Sequence, residues 1–421
     1  MNHYHNLQIY SYEHPGQDIQ EEYHKRFDGY GTIKFPLYIN PMFHGMPTSD
    51  QYQLFFVPIE SYNSLITSIR NNSMHITKLI NNLPGVASNQ FFLEMLTKEI
   101  KGTNDIEGVY STTEEINVAI DSAQNNNKRS THTRFHSLAS MYLKIKNQEV
   151  EKIKELKDIR DIYDFLLKGE ISQSKYSDGE LFRNDFVRIG SSTQTVNQPK
   201  IDEKLIMADL EKWIEFINED KFDPILKACV AHYYFEYIHP FYDGNGRVGR
   251  YIFCSYLGNK LDPYTAISFS HQVNLKKEKY YHSFEEIENQ KNYGEITFFV
   301  INLLKYLAAG QKKVIANLEL SNKLLKYIDN QLRHCDYSND EIHLLYIYSQ
   351  SFLFNNIDQG IDDNFIQNHR SEIMGKKISV RKIRNLLDSL ENRKILVTVK
   401  KSPLKRVLTD KFFKSIDMDI S

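Results

Sequence analysis

The sequence is poor in several of the residues that organise small stand-alone chemistries. It holds three cysteines, Cys229, Cys254 and Cys335, an odd number with no CxxC pair. That argues against a disulfide framework and against a thiolate zinc site, and the three are expected to be buried free thiols. Trp213 is the only tryptophan. Net charge is -2, so the chain as a whole is no polyelectrolyte. The longest apolar stretch, ITFFVINLLKYLAAG, is broken by Lys305 and falls short of the ~20 residues that span a bilayer. The first residues, MNHYHNLQIYSYEHPG, have no apolar run of signal-peptide length. The expectation is a soluble, cytoplasmic protein with no membrane partner. No internal repeat or low-complexity tract is present.

What remains is ordinary globular material: 421 residues, 41% hydrophobic and 25% charged, enough for two or three domains and one sizeable core. The first forty residues, rich in Tyr, His and Gly, read as loop or arm. Helical spacing then appears in YNSLITSIRNNSMHITKLINNL and in SNQFFLEMLTKEI, where Phe92, Leu96 and Ile100 share a stripe. STTEEINVAI opens with a capping-box pattern, Ser111 to Glu114 or Thr112 to Glu115. After the polar break QNNNKRSTHT, helices resume in KIKELKDIRDIYDFLLKGEI. FVRIGSSTQTVNQP has the turn residues of a β-hairpin. Long helical patterns follow in KLIMADLEKWIEFI, PILKACVAHYYFEYI and GEITFFVINLLKYLAAG. In the tail, SVRKIRNLLDSLENR reads as a helix and KILVTVKKSPLKRVLTD as two strands around a Ser-Pro turn, the end of a winged helix.

One stretch concentrates chemistry: HPFYDGNGRVGR, His239 to Arg250. Gly244, Gly246 and Gly249 match GxGxxG, but a dinucleotide site needs a strand before the glycines, and PILKACVAHYYFEYI is too long and reads as a helix. A P-loop needs Gly-Lys-Ser/Thr, which is missing. A calcium loop counted from Asp243 needs a glutamate at its twelfth position and finds Cys254. A plain glycine turn leaves His239, Asp243, Asn245 and both arginines unexplained. In GRVGRYIFCSYLGN, Val248, Ile252 and Tyr256 form an apolar stripe, so a helix starts near Asn245. Its free backbone N–H groups and partial positive charge suit a phosphate, and glycines allow close approach. Arg247 and Arg250, three apart, share a face and can hold two phosphates of one polyphosphate. Asp243 is a hard oxygen ligand for Mg2+, and His239 can act as a general base.

This stretch resembles the Fic family signature HPFx(D/E)GNGRxxR and matches it at every fixed position; the resemblance covers roughly residues 100 to 310. It implies transfer of AMP from ATP to a Ser, Thr or Tyr hydroxyl of a target protein, self-modification included. It casts His239 as the base and Asp243 as the Mg2+ ligand. Gly244, Asn245 and Gly246 become the anion hole for the α-phosphate, and Arg247 and Arg250 the β- and γ-phosphate contacts. Phe241 would anchor the loop in the core. FVRIGSSTQTVNQP sits where the family places a flap that aligns the target as an added strand. Tyr281 fits an adenine-contacting tyrosine, but the position seven residues on is Glu288, with the family's asparagine one later at Asn289. TNDIEG, Thr103 to Gly108, resembles the inhibitory pattern (S/T)xxxE(G/N). That implies a Glu107–Arg250 pair in the γ-phosphate's place, or a glutamate that orients water to remove AMP.

The expected architecture is mainly α: an N-terminal helical extension over 1–95, a Fic-type core with its inhibitory helix and flap hairpin over 96–315, and a winged-helix-like domain over 320–421. From Lys376 to Lys411 the tail has twelve basic residues against Asp388, Glu391 and Asp410, a charge excess that suits DNA or a protein contact, dimerisation included. Rival readings are a Doc-like phosphotransferase, whose branch has a lysine where this chain has Gly246; a transferase of UTP or GTP; and a nucleotide-sensing DNA-binding regulator, which would have no use for His239.

Overall fold

The computed structural model describes residues 4–43, 46–124, 133–172, 175–187, 189–190, 195–354 and 360–418. Most of the polar break at 124–133 and the hairpin tip at 191–194 lie outside them.

The chain is mainly helical, as its periodicity predicts. The first forty residues differ from the expected arm. Asn6 and Asp18 cap two short helices, Leu7–Glu13 and Ile19–Phe27, by accepting from backbone N–H groups. The strand Ile33–Ile39 follows and pairs antiparallel with Tyr52–Phe56, from Ile33 opposite Phe56 to Ile39 opposite Tyr52. The reason is period-two burial: Phe35, Leu37 and Ile39 are buried while Lys34, Pro36 and Tyr38 face outward. Glycine and tyrosine enrichment masked that alternation.

Two compact units are present, one of residues 1–74 with 96–312, the other of 75–95 with 313–421. In the first, the helices Leu156–Leu166, Glu203–Asn218, Pro224–Ile238 and Asn245–Lys260 surround the signature. Pro224–Ile238 begins with Asp223 as N-cap and proline in its first turn, and nearly every side chain along it is buried. Such a helix shows no amphipathic stripe and belongs to the centre of a core. Trp213 is fully buried and donates its indole N–H to the carbonyl of Ala231 at 2.8 Å. Of the two capping boxes the sequence allows, the one built is Thr112 with Glu115: the Thr112 hydroxyl accepts from Glu115 N–H and the Glu115 carboxylate from Thr112 N–H. Of the expected flap hairpin, Ile189–Gly190 pairs antiparallel with Thr195–Asn197. All three cysteines are free, Cys229 and Cys254 buried as expected and Cys335 only partly buried. Among the described residues no helix is long and apolar enough to cross a membrane.

The second unit packs Leu344, Leu345, Leu387, Leu390 and Phe412 into its own core against a three-stranded antiparallel sheet. The strand order is Ile361–Asp362, Leu404–Leu408, Leu396–Lys401. Much of its basic charge is matched internally. Lys376 and Lys382 share Asp340, and Arg393 pairs with Glu341. Arg406, 4% exposed, gathers Asp363, Asp388 and Glu391. Removing one side of a buried ion pair costs about 3–5 kcal/mol. Arg406→Ala is therefore expected to lower the unit's stability by roughly that amount, read as lost amide-exchange protection in the strands of this sheet. Protection equal to wild type would show that the cluster contributes nothing.

Candidate active site

The signature occupies the turn between two core helices. Pro224–Ile238 ends at His239, whose backbone is left-handed at φ 52°, ψ 62°. Non-glycine residues adopt that region rarely and need support. The support is Arg183, whose side chain is fully buried. It donates Nε to the His239 carbonyl at 2.8 Å, Nη2 to that of Ile238 at 3.4 Å and Nη1 to that of Asp185 at 3.0 Å. Its own N–H reaches the Pro240 carbonyl at 3.1 Å. Burial lowers the Arg183 pKa to about 10, which leaves it cationic. Spacing alone gave no signal for Arg183, since nothing in ELFRNDF connects it to a residue 56 positions on.

Asn245 closes the turn. Its Oδ1 accepts from Phe241 N–H at 2.9 Å and its Nδ2 donates to the Phe241 carbonyl at 2.7 Å, as a paired strand would. The ring of Phe241 stacks on Tyr163 with centroids 3.8 Å apart. Gly244, at φ 84°, is the N-cap of the helix Asn245–Lys260, so this helix starts where the sequence predicts. A Cβ on Gly244 would lie 2.3 Å from Leu167 Cδ1, and one on Gly246 would lie 2.1 Å from Glu107 Oε1. Gly244 is required by its positive φ, and a side chain at Gly246 would have to displace the Glu107 carboxylate.

Every charged side chain of the signature has a partner within the protein. Asp243, one third exposed, is ion-paired with Lys175. Arg247 donates Nη1 to Glu170 Oε2 at 2.6 Å, with both side chains nearly excluded from solvent. Arg250 gives Nε to the Thr103 hydroxyl at 2.8 Å, and Nη2 to the Thr103 carbonyl at 3.1 Å and to Glu107 Oε1 at 2.8 Å. Burial by itself would depress the Arg250 pKa, but Glu107, Tyr280, Glu236 and Tyr281 together hold it above its ordinary value. TNDIEG thus reaches Arg250 through both its first and its fifth residues.

Glu107 is the first residue past the helix Gly85–Ile106, and two contacts fix that end. Gly102 passes so close to another helix that a Cβ would sit 2.8 Å from the backbone nitrogen of His271. Glu99, fully buried, accepts from Ser270 N–H at 2.8 Å, and burial pushes its carboxyl up to about 7. Tyr281 donates its hydroxyl to the Ile106 carbonyl at 2.9 Å and is 43% exposed. Asn289 caps a turn by accepting from Lys291 N–H. Glu236, one turn before His239, is pushed up to about 8 by burial and lies against Gly249, where its Oε1 would be 2.2 Å from a Cβ. Glu170, Lys175, Arg183 and Glu236 all escaped the sequence reading.

Part of this chain is similar to known proteins. The Fic/DOC family model matches residues 153–257. The chain is 32% identical over 123 residues to Protein adenylyltransferase Fic of Drosophila ananassae, covering 29% of this chain and 22% of that protein. To the protein of the same name from Nematostella vectensis it is 33% identical over 99 residues, covering 22% of this chain and 21% of that protein. A crystal structure of a Fic family protein from Desulfovibrio desulfuricans G20 superposes with TM-score 0.49 and 17% identity, over 84% of this chain and 97% of that one. The similarity to the Fic/DOC family lies in residues 153–257, the part of the chain that carries the signature. The chain spans about a fifth of the length of the curated relatives it matches.

Burial, then the nearby Arg183 guanidinium, lower the His239 pKa to about 4, against an opposing pull from the Glu236 carbonyl and the Asp243 carboxylate. Because this folded value lies below the unfolded ~6.5, the unfolded chain takes up the proton first. Stability is lost as pH falls from about 6.5 towards 4. Arg183→Gln removes the nearest cation, so His239 should titrate closer to ~6.5 and the acid loss should shrink. Ring-proton NMR titration, assigned with His239→Ala, reads this directly. A His239 curve unmoved by Arg183→Gln would show that the arginine acts on the backbone alone.

Proposed function

We propose that this chain transfers AMP from ATP to a Ser, Thr or Tyr hydroxyl of a target protein, and that Glu107 holds the activity low. The observation that carries the reading is the convergence, at the start of Asn245–Lys260, of a neutral imidazole, a carboxylate and two arginines around a glycine turn. His239, neutral at pH 7 because its pKa is near 4, accepts the proton of the target hydroxyl. The hydroxyl oxygen forms its bond to the α-phosphorus as the bond to the bridging β-phosphate oxygen breaks, and pyrophosphate leaves. Gly244, Asn245 and Gly246 present backbone N–H groups to the α-phosphate, where negative charge shifts in the transition state. Arg247 and Arg250 take the β- and γ-phosphates, and Tyr281 flanks the adenine.

Asp243 offers hard oxygen donors of the kind Mg2+ takes, on a side chain open enough to admit an ion. Bound there, the ion would supply charge neutralisation to the nucleotide's phosphates. The hairpin of Ile189–Gly190 and Thr195–Asn197 would align the target backbone by strand addition.

The residue at 246 weighs against the Doc-like phosphotransferase. That branch carries a lysine there, and this chain has glycine.

Two variants test the reading. His239→Ala should abolish labelled-AMP incorporation into a lysate while ATP still binds, because the base acts in the transition state. Persistence of wild-type labelling would take His239 out of the mechanism. Glu107→Gly should raise incorporation, self-modification included, by roughly 100-fold, the scale of a 1 Å correction in phosphate placement. A variant no faster than wild type sinks the brake. If it instead loses the ability to strip AMP from a modified target, Glu107 positions hydrolytic water.

A further inference from the structure

We infer that Glu170 is a second inhibitory carboxylate of this site, an internal anion that opposes binding of the nucleotide's β-phosphate by occupying Arg247. The inference rests on the nucleotide-transfer reading above and goes beyond it. That reading places one carboxylate, Glu107, against one arginine, and leaves Arg247 available.

Arg247 is not available. Its Nη1 is 2.6 Å from Glu170 Oε2, with side-chain exposures of 3% and 7%. This is a closely matched, desolvated pair that contrasts with exposed ion pairs of little consequence. The opposite edge of the guanidinium tells a second thing. Arg247 Nε is buried and has no hydrogen-bond partner among the described residues. A buried unsatisfied donor is costly and marks a place where an acceptor belongs. A phosphate can satisfy the Nε edge and a second N–H at once, in the bidentate geometry guanidinium favours. The carboxylate meets one N–H only.

Glu170 comes from a different element than Glu107. The helix Leu156–Leu166 ends, and Gly169, at φ 78°, turns the chain. Glu170 then donates its backbone N–H to the Leu167 carbonyl at 3.0 Å. Its side chain therefore stands on a turn and reaches the arginine from there. Leu167, three residues before, is lodged against Gly244. The same turn that shapes the α-phosphate loop thus delivers an anion to the next phosphate position. The two carboxylates face separate arginines; with Arg247 at the β- and Arg250 at the γ-phosphate, as in the reading above, Glu170 acts against β and Glu107 against γ.

This separation is testable by binding alone, with the full chain and three probes: AMP, ADP and ATP. Glu170→Gln keeps the size of the side chain and removes the charge. Isothermal titration should show about tenfold tighter ADP and ATP, the scale of 1.4 kcal/mol, with AMP unchanged because it has no β-phosphate. Glu107→Gly should tighten ATP and leave ADP and AMP unchanged. Glu170→Ala, with thermal unfolding measured on each variant, guards against a folding defect and should match Glu170→Gln in direction. ADP affinity unchanged or weakened in both Glu170 variants overturns the inference and makes Glu170 a support for Arg247. A chain that binds no adenine nucleotide in any form overturns it together with the reading it rests on. Adenylyl transfer that needs His239, with ADP affinity indifferent to Glu170, overturns the inference alone.

Discussion

A guanidinium buried at the positive end of a helix demands an anion. The first turns of Asn245–Lys260 carry two, Arg247 and Arg250, at 2% and 1% exposure, where the macrodipole already disfavours positive charge. Left unmatched, each would cost several kcal/mol. The protein supplies the anions from its own chain, Glu170 to one arginine and Glu107 to the other, and gives the remaining signature charge, Asp243, a lysine. The surrounding packing serves this constraint. The helix ending at Ile106 is pressed against its neighbour at Gly102 and tied by Glu99, so that Glu107 arrives at Arg250. The helix ending at Leu166 is held by Tyr163 on Phe241 and followed by Leu167 on Gly244, so that Glu170 arrives at Arg247.

The glycines have the same logic. Gly102, Gly244, Gly246 and Gly249 each sit where a Cβ would strike a neighbour within 3 Å: the backbone of another helix, a leucine, or a glutamate carboxylate. The three glycines of the superficial GxGxxG spacing face side chains, Leu167 at Gly244, Glu107 at Gly246 and Glu236 at Gly249, and a helix, not a strand, precedes them.

The sequence made the local part of this legible. The start of the signature helix, the Thr112–Glu115 cap, the long helices and the pairing of Glu107 with Arg250 follow from residue types at short, regular spacing or from a long motif. What stayed hidden is long-range. Arg183 holds His239 from 56 positions away, and Glu170 meets Arg247 across 77. A single arginine or glutamate in a polar stretch carries no periodic or motif signal. The buried strand pair near the N-terminus was missed for another reason: its alternation is only seven residues long and lies beside tyrosine- and glycine-rich turns.

The two arginines are not held alike, and the difference bears on how the site would take a polyphosphate. Arg250 keeps two hydrogen bonds to Thr103, through hydroxyl and carbonyl, that do not involve Glu107. Withdrawal of the glutamate frees one edge of the guanidinium while its orientation stays fixed, so a phosphate there meets a preorganised donor and little ordering entropy is lost. Arg247 has Glu170 as its one hydrogen-bonding side-chain partner among the described residues. Once that carboxylate leaves, the ligand itself must order the arginine. On the proposed reading the γ-phosphate position is rigid and the β-phosphate position pliant. Removing Glu107 then exposes a ready contact, whereas removing Glu170 exposes one that forms only as the nucleotide binds.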